Sequence, residues 1–505
     1  MPRYKPVNLQ QDAFVPIRFD KQILPGTFEY ALHYLLEETV DLSAFDAHYA
    51  NDALGARAYH PKVLLKIVLF GYARGLIGSR RIERACRENV QFMALSGEAK
   101  PDHATIAAFI SRSPDAIQAV FREVLLVCDA TGLIGREHFA IDGVKLPSNA
   151  SKELSGRIDE LQAKVKKLDR AVARMLEAHH LEDAKDAQGD LEKHAAKQIE
   201  KLNRQSAKIK AFLKDAQPKC GPNGKERKSN VTDNDSAKMK TGKGVIQGYT
   251  AVAVTDDKHQ VIVEAQAYGA PQEQELLQPV LTDLQEGFQD LDLSDNILAE
   301  VKLTADSGFH SGNNLDWLAG QGCDAYIADN LFRKRDPRFA DADKYKPPEP
   351  KPQRFSPSDF QYDPARLTCT CPAGKALYRN GANVTIKGRT GIKFTAPRSA
   401  CRDCHLRARC LRDAHQKSPR QLVFFREPQN TAETPIAHMK AKIDSLLGRL
   451  IYSKRLGTVE PPFGNLRYHK SLDRFTLRGR EKVDGQWKLF ALVHNIEKLA
   501  HYGMA

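Results

Sequence analysis

HFAIDGVKL, residues 138–146, is the stretch on which the reading of this chain turns. Upstream the apolar residues follow helical spacing; at 138 they close into a short strand that ends on Asp142 and a glycine. Downstream, GYTAVAVT (248–255) and QVIVEAQAY (260–268) alternate in polarity and are split by DDKH, which predicts a β-hairpin. EQELLQPVLTDLQEGF (273–288) has the pattern of an amphipathic helix. VKLTAD (301–306) is another strand ending in an acid, NNLDWLAG (313–320) a short helix and DAYIADN (324–330) a last strand. The order strand, hairpin, helix, strand, helix, strand predicts an α/β core with a mixed sheet.

That element order is the one of a ribonuclease H-like sheet, in which the first and fourth strands are central neighbours. Asp142 and Asp306 would then meet at one sheet edge, at the strand ends where such sheets place their ligands. Hard Mg²⁺ prefers oxygen ligands, and carboxylates projecting together suit phosphoryl transfer by two metal ions. A third acid has to come from a helix packed across the sheet. Glu460, in IYSKRLGTVEPPFGNLRYHKS (451–471), is the candidate; its plain alternative is a surface ion pair. Pro461 and Pro462 suggest a helix that starts beside Glu460 and does not run through it.

Around this core the chain divides into further segments. Residues 1–130 read as an all-helical N-terminal domain. KVLLKIVLFGYARGL (62–76), opened by Pro61, is apolar almost all round and predicts a buried helix. Ser79 and Asp102 are the expected N-caps of the next two helices. Arg80, Arg81, Arg84 and Arg112 would line polar faces, either as a helix-turn-helix-like DNA-binding module or as solvated arginines on a packing domain. Residues 131–150 form the first part of the core. Residues 151–217 form an inserted helical hairpin, with a seam through Ile158, Leu161, Val165, Leu168, Val172 and Met175 that returns through Leu191, Ala195, Leu202, Ile209 and Phe212. The core continues over 218–335, beginning with polar loops to about 244. Residues 336–435 are a Cys-rich, zinc-ribbon-like insertion behind the linker PPEPKPQ, and 436–505 are the C-terminal helical part.

Seventy-six basic residues against 63 acidic ones give a net charge of +13 over 505 residues, which favours a polyanionic partner. No apolar run reaches the roughly 18 residues that span a bilayer, and MPRYKPVNLQ lacks a secretory core, so a cytoplasmic protein with no membrane association is expected. Five of nine cysteines fall within CTCPAGKALY (369–378) and CRDCHLRARC (401–410). In a cytosolic chain this clustering points to metal rather than to disulfides. The expected structural Zn²⁺ ligands are Cys371, Cys401, Cys404 and Cys410, with Cys369 competing for the place of Cys371; the alternative is a set of reduced, unmetallated thiols.

AIDGVKLPSNAS (140–151), LTADSGFHS (303–311), VEPPFGNLR (459–467), RFTLRGREKV (474–483) and ALVHNIEKL (491–499) together resemble the blocks of bacterial insertion-sequence DDE transposases, close to the insertion-sequence 1182 group. SRRIERACRENVQFMALSGEAKPDHATIAAF (79–109) resembles the N-terminal domain found with them. The resemblance implies a metal-dependent enzyme that cuts element ends and joins them to target DNA. Asp142, Asp306 and Glu460 would be its catalytic acids, holding two Mg²⁺ (or Mn²⁺). Tyr452, Arg455, Glu460 and Arg467 stand in for a tyrosine, arginine, glutamate, lysine pattern of related enzymes. They depart from it by four residues between Arg455 and Glu460 and by arginine in the last place. Tyr452, Arg455, Arg467, Arg80, Arg81 and Arg112 would contact DNA. The implied partners are double-stranded DNA, as terminal inverted repeats and target, and a second copy of the chain or more, on the nucleoid. A catalytically silent DNA-binding derivative and a ribonuclease H-like nuclease without strand transfer are the alternatives.

Overall fold

The computed structural model describes residues 16–49, 57–183, 189–221, 224–339, 341, 354–386, 389–413, 415–426 and 434–503. It divides into two compact units, Met1–Asn330 with Met439–Ala505, and Leu331–His438. No described helix is long and apolar enough to cross a membrane.

The first unit opens with helices α1 (Phe28–Tyr34), α2 (Pro61–Ala73), α3 (Ser79–Glu88), α4 (Val90–Ser96), α5 (His103–Arg112) and α6 (Pro114–Ala130). Pro61 sits at the start of α2, where its missing N–H costs nothing, and the helix is buried along nearly its whole length. Asp102 caps α5 by accepting from the Thr105 N–H at 2.7 Å. Ser79 is not the cap expected of it: α3 begins at Ser79 itself, Gly78 holds the cap position, and no side chain closes that end.

The sheet follows. Its strands are β1 (His138–Pro147), then, after the helical hairpin α7 (Ile158–Asp183) and α8 (Gly189–Asp215), β2 (Ala237–Thr241), β3 (Gly244–Asp256) and β4 (Ile262–Tyr268). Helix α9 (Leu277–Asp290), β5 (Lys302–Ala305), helix α10 (Gly312–Gly320) and β6 (Asp324–Ile327) complete it. The order is β6-β5-β1-β3, with β2 along the first part of β3 and β4 along the rest. β1, β5 and β6 are parallel, while β3 runs antiparallel to both β1 and β4. The lysine-rich stretch before residue 244, expected as loop, thus contains β2. Met239, buried beneath Thr250, gives that strand its inward face.

Two long helices close the unit, α11 (Leu446–Gly464) and α12 (Arg480–Lys498). α12 is buried from Gln486 through Ile496 because it lies between the sheet and the N-terminal helices. Trp487 donates its indole N–H to the Val252 carbonyl in β3 at 2.8 Å. Phe490, one turn further on, stacks on Tyr72 of α2 at 4.6 Å between centroids. The helices of the first 130 residues therefore share one core with the sheet and form no separate unit. The α7–α8 hairpin has a small core of its own, Leu161, Val165 and Ile209 with Leu154.

The second unit is an antiparallel sheet of β7 (Gln361–Asp363), β8 (Thr368–Thr370), β9 (Ala376–Arg379), β10 (Val384–Ile386), β11 (Arg389–Thr395) and β12 (Gln421–Phe425). Phe394, Leu377, Leu422 and Phe360 fill its core.

Candidate active site

β1 and β5 are paired in register up to Ile141 and Ala305. The next residue on each is an aspartate, so Asp142 and Asp306 stand side by side where the parallel pairing stops. Neighbouring strands are about 4.8 Å apart, which brings the two carboxylates within range of one ion. β1 does not end at Asp142 as its sequence suggested. It continues to Pro147 opposite β3, from Asp142↔Ala253 to Pro147↔Gly248. The strand persists because its antiparallel partner is long; only its parallel partner is short.

Asp142 Oδ1 accepts from the Gly143 N–H at 2.7 Å, and Oδ2 accepts from Arg455 Nη1 at 3.0 Å. Burial pushes the Asp142 carboxyl above the usual carboxylate range. Arg455 and the Gly143 N–H oppose that, and the charge of Asp306 adds to it. Asp306 Oδ1 accepts from the Gly308 N–H at 2.8 Å, which fixes the turn after β5. The Arg455 guanidinium lies 5.9 Å from the centre of the Tyr452 ring, three residues back on the same face of α11. Burial raises the Tyr452 hydroxyl, and Asp306 and Asp142 are among the charges that act on it. The structure thus brings Tyr452, Arg455, Asp142 and Asp306 together.

Glu460 is placed differently. At 100° per residue it lies about 140° round α11 from Arg455, and it is exposed. No described hydrogen bond or ion pair links it to Asp142 or Asp306. The helix also runs through Pro461 and Pro462 to Gly464, correcting the expectation that it starts beside Glu460. Pro461 has no N–H for the Gly457 carbonyl four residues back; Gln260 Nε2 donates to that oxygen instead, at 3.1 Å. Arg467 lies beyond α11 in a wide turn, Asn465–His469, with its guanidinium 6.0 Å from the Tyr468 ring.

Glu273 was not singled out by sequence. It follows the hairpin strand β4, and its Oε1 pairs with Lys145 of β1 at 3.0 Å. In the stretch PQEQE nothing marks Glu273 apart from Glu275, which is instead paired with Arg227 at 2.8 Å.

Two adjacent carboxylates, one of them buried and raised, make the setting that a divalent cation relieves. The aspartate pair fits such an ion. Among the described residues, no three His, Cys, Asp or Glu side chains are grouped so as to hold a metal ion. This leaves the expected zinc site without support. Cys371, Cys401, Cys404 and Cys410 do line one small cavity, with Leu406, Leu411 and Ala396 among its walls. Burial and the neighbouring thiols raise the Cys410 thiol against the pull of Arg420. Cys369, 1% exposed, lies in the core of the second unit, against which Cys371, Cys401 and Cys410 also pack.

Arg80, Arg81 and Arg112 are exposed on α3 and α5, and none forms an ion pair among the described residues. Arg84 and Arg87 on the same helix are engaged with Glu88 and Glu83.

The chain matches two known domain families. Residues 370–500 match the family described as transposase DDE domain, and residues 17–112 the family described as transposase domain (DUF772). No curated protein matches. The first match takes in Tyr452, Arg455, Glu460 and Arg467 and stops short of Asp142 and Asp306; the second takes in Arg80, Arg81 and Arg112. Both matches support one class of protein, an insertion-sequence transposase of the DDE type.

Proposed function

We propose that this chain cuts the ends of an insertion element and joins them to target DNA at a centre built on Asp142 and Asp306. The observation that carries the reading is the register of β1 on β5, which sets the two aspartates side by side at the edge of the parallel pairing. The strand order β4-β3-β1-β5-β6, with β3 alone running against the rest, supports a ribonuclease H-like sheet. The motif blocks support a place close to the insertion-sequence 1182 group.

Bound Mg²⁺, or Mn²⁺, two per site, would lower the pKa of an attacking water or 3′-hydroxyl and neutralise the leaving oxygen. Asp142 and Asp306 would hold the ions, with Glu460 as the third acid that the motif assigns. Arg455 aims the Asp142 carboxylate and, with Tyr452, lines the approach to it. Arg467 is the proposed phosphate contact beyond α11. The unpaired Arg80, Arg81 and Arg112, on a chain of net charge +13, are the proposed DNA contacts of the N-terminal helices. A homodimer or larger assembly would hold the two element ends together.

The test is a strand-transfer assay with duplexes carrying the element's terminal repeats and Mg²⁺. The expected result is joined product from the wild type and none from Asp142→Asn or Asp306→Asn, with DNA binding retained by all three. Joined product from either variant would overturn the assignment. Cleavage without joining by the wild type would make the chain a nuclease.

A further inference from the structure

Gly308 lies in the turn fixed by Asp306, and the space its missing side chain leaves is taken. A Cβ at this position would collide with Glu273 Oε2 and stand 2.9 Å from Asp306 Oδ1. Both carboxylate oxygens therefore border one Cβ-sized space and lie within about 5 Å of each other. Glu273 also passes beside Gly143, the residue after Asp142; a Cβ there would be 3.6 Å from Glu273 Cγ. The side chain of Glu273 is only 16% exposed, and its other oxygen, Oε1, is held by Lys145. Glycine at 308 leaves this carboxylate its place at the edge where the two aspartates end.

We propose that Glu273 is a further cation-holding carboxylate of the Asp142–Asp306 centre, sharing an ion with Asp306 through Oε2 while Lys145 holds Oε1. The inference rests on the proposed function and adds to it a residue that neither the motif blocks nor the matched domains include. As they stand, Asp142, Asp306 and Glu273 are not grouped closely enough to hold an ion. Ligand oxygens about 2.1 Å from one Mg²⁺ are at most about 4.2 Å apart, so Glu273 joins the pair by a side-chain movement on binding. The charges agree as well. Asp142, Asp306 and Glu273 bring three negative charges, and Arg455 and Lys145 bring two positive ones, so the edge keeps a net attraction for a cation. Glu460 lies on the far side of α11 from Arg455, whereas Glu273 already stands beside Asp306.

The test is Mn²⁺ binding to the full chain without DNA, followed by electron paramagnetic resonance of the free ion and by calorimetry. Glu273→Gln is expected to weaken binding at least tenfold, and Asp306→Asn to weaken it at least as much, while Asp316→Asn, an exposed change on α10, leaves it unaltered. Lys145→Met is expected to tighten binding severalfold, because it removes the cation that competes for Glu273. An ion pair that only braced the loop would instead make both Glu273→Gln and Lys145→Met weaken binding. Wild-type affinity in Glu273→Gln, with binding lost in Asp306→Asn, would overturn the role of Glu273 and leave the Asp142–Asp306 centre standing. No Mn²⁺ binding by the wild type would overturn both.

Discussion

Arg455 Nη1 reaches Asp142 Oδ2 at 3.0 Å across a sequence separation of 313 residues. This one ion pair ties α11, which lies within the stretch matched to the transposase DDE domain family, to β1, which carries Asp142. Arg455 is 11% exposed and Asp142 25%, so water screens their attraction only in part.

Removing the arginine leaves Asp142, half-buried beside Asp306, without its ion-pair partner. Arg455→Met is expected to lower stability by about 1–3 kcal/mol in chemical denaturation. On an Asp142→Asn background the same change should cost much less, because the stranded charge is gone. Additive losses in the double variant would mean that the pair does not couple in solution. Asp142→Asn alone should be close to neutral, since the end of the repulsion with Asp306 is offset by the Arg455 charge left without its carboxylate, while strand transfer is abolished.

Gly308→Ala is the sharpest steric probe of the site. The added Cβ collides with Glu273 Oε2, so the carboxylate has to move or the Asp306 turn has to open. The expected outcome is a folded protein whose strand transfer falls at least tenfold. Glu273→Ala should make the alanine at 308 tolerable to the fold, which thermal melts of the single and double variants would show. An unchanged rate in Gly308→Ala would mean that the turn yields freely.

How far the sequence foretold this site follows from how local each constraint is. Asp142 and Asp306 were legible because each closes a short apolar run, and the order of runs makes those strands neighbours. The burial of α2 was legible from a segment apolar on every face. Glu273 was not, because its place depends on Lys145 and Gly308, which lie far from it in sequence. The persistence of β1 to Pro147 depends on the length of β3, and the amide that serves the Gly457 carbonyl freed by Pro461 comes from a distant loop. The exposure of Glu460 is of the same kind: its motif is local, and the face of α11 that meets the sheet is decided by packing.

That distant amide can be tested directly. Gln260 Nε2 serves the Gly457 carbonyl, and the Gln260 carbonyl accepts from His494 Nε2 at 2.8 Å. Gln260→Ala hands the exposed Gly457 oxygen to water and is expected to cost less than about 1 kcal/mol. Pro461→Ala in the same chain should restore part of the loss by returning the helical N–H. No rescue by Pro461→Ala would show that α11 is held by its side-chain packing alone.

Two fully buried ionisable groups give opposite pH slopes to the stability of the first unit. Burial raises Glu264 from 4.5 to about 7, against the pull of Lys488 and with Asp484 and Asp283 adding to the rise. Its folded value lies above its unfolded one, so its contribution is complete below about pH 4.5 and is lost as pH rises through 7. Burial lowers His494 from 6.5 to about 4, although its bond to the Gln260 carbonyl opposes this. Its contribution is complete above pH 6.5 and is lost as pH falls through 4. Each amounts to something on the order of 3 kcal/mol, and between pH 4.5 and 6.5 the two slopes nearly cancel. Single variants uncover them. Glu264→Gln should make stability fall more steeply on acidification, and His494→Gln should make it rise, both read from denaturant midpoints across that window. If the two variants shift the profile in the same direction, one of the two groups does not have the burial its place in the core requires.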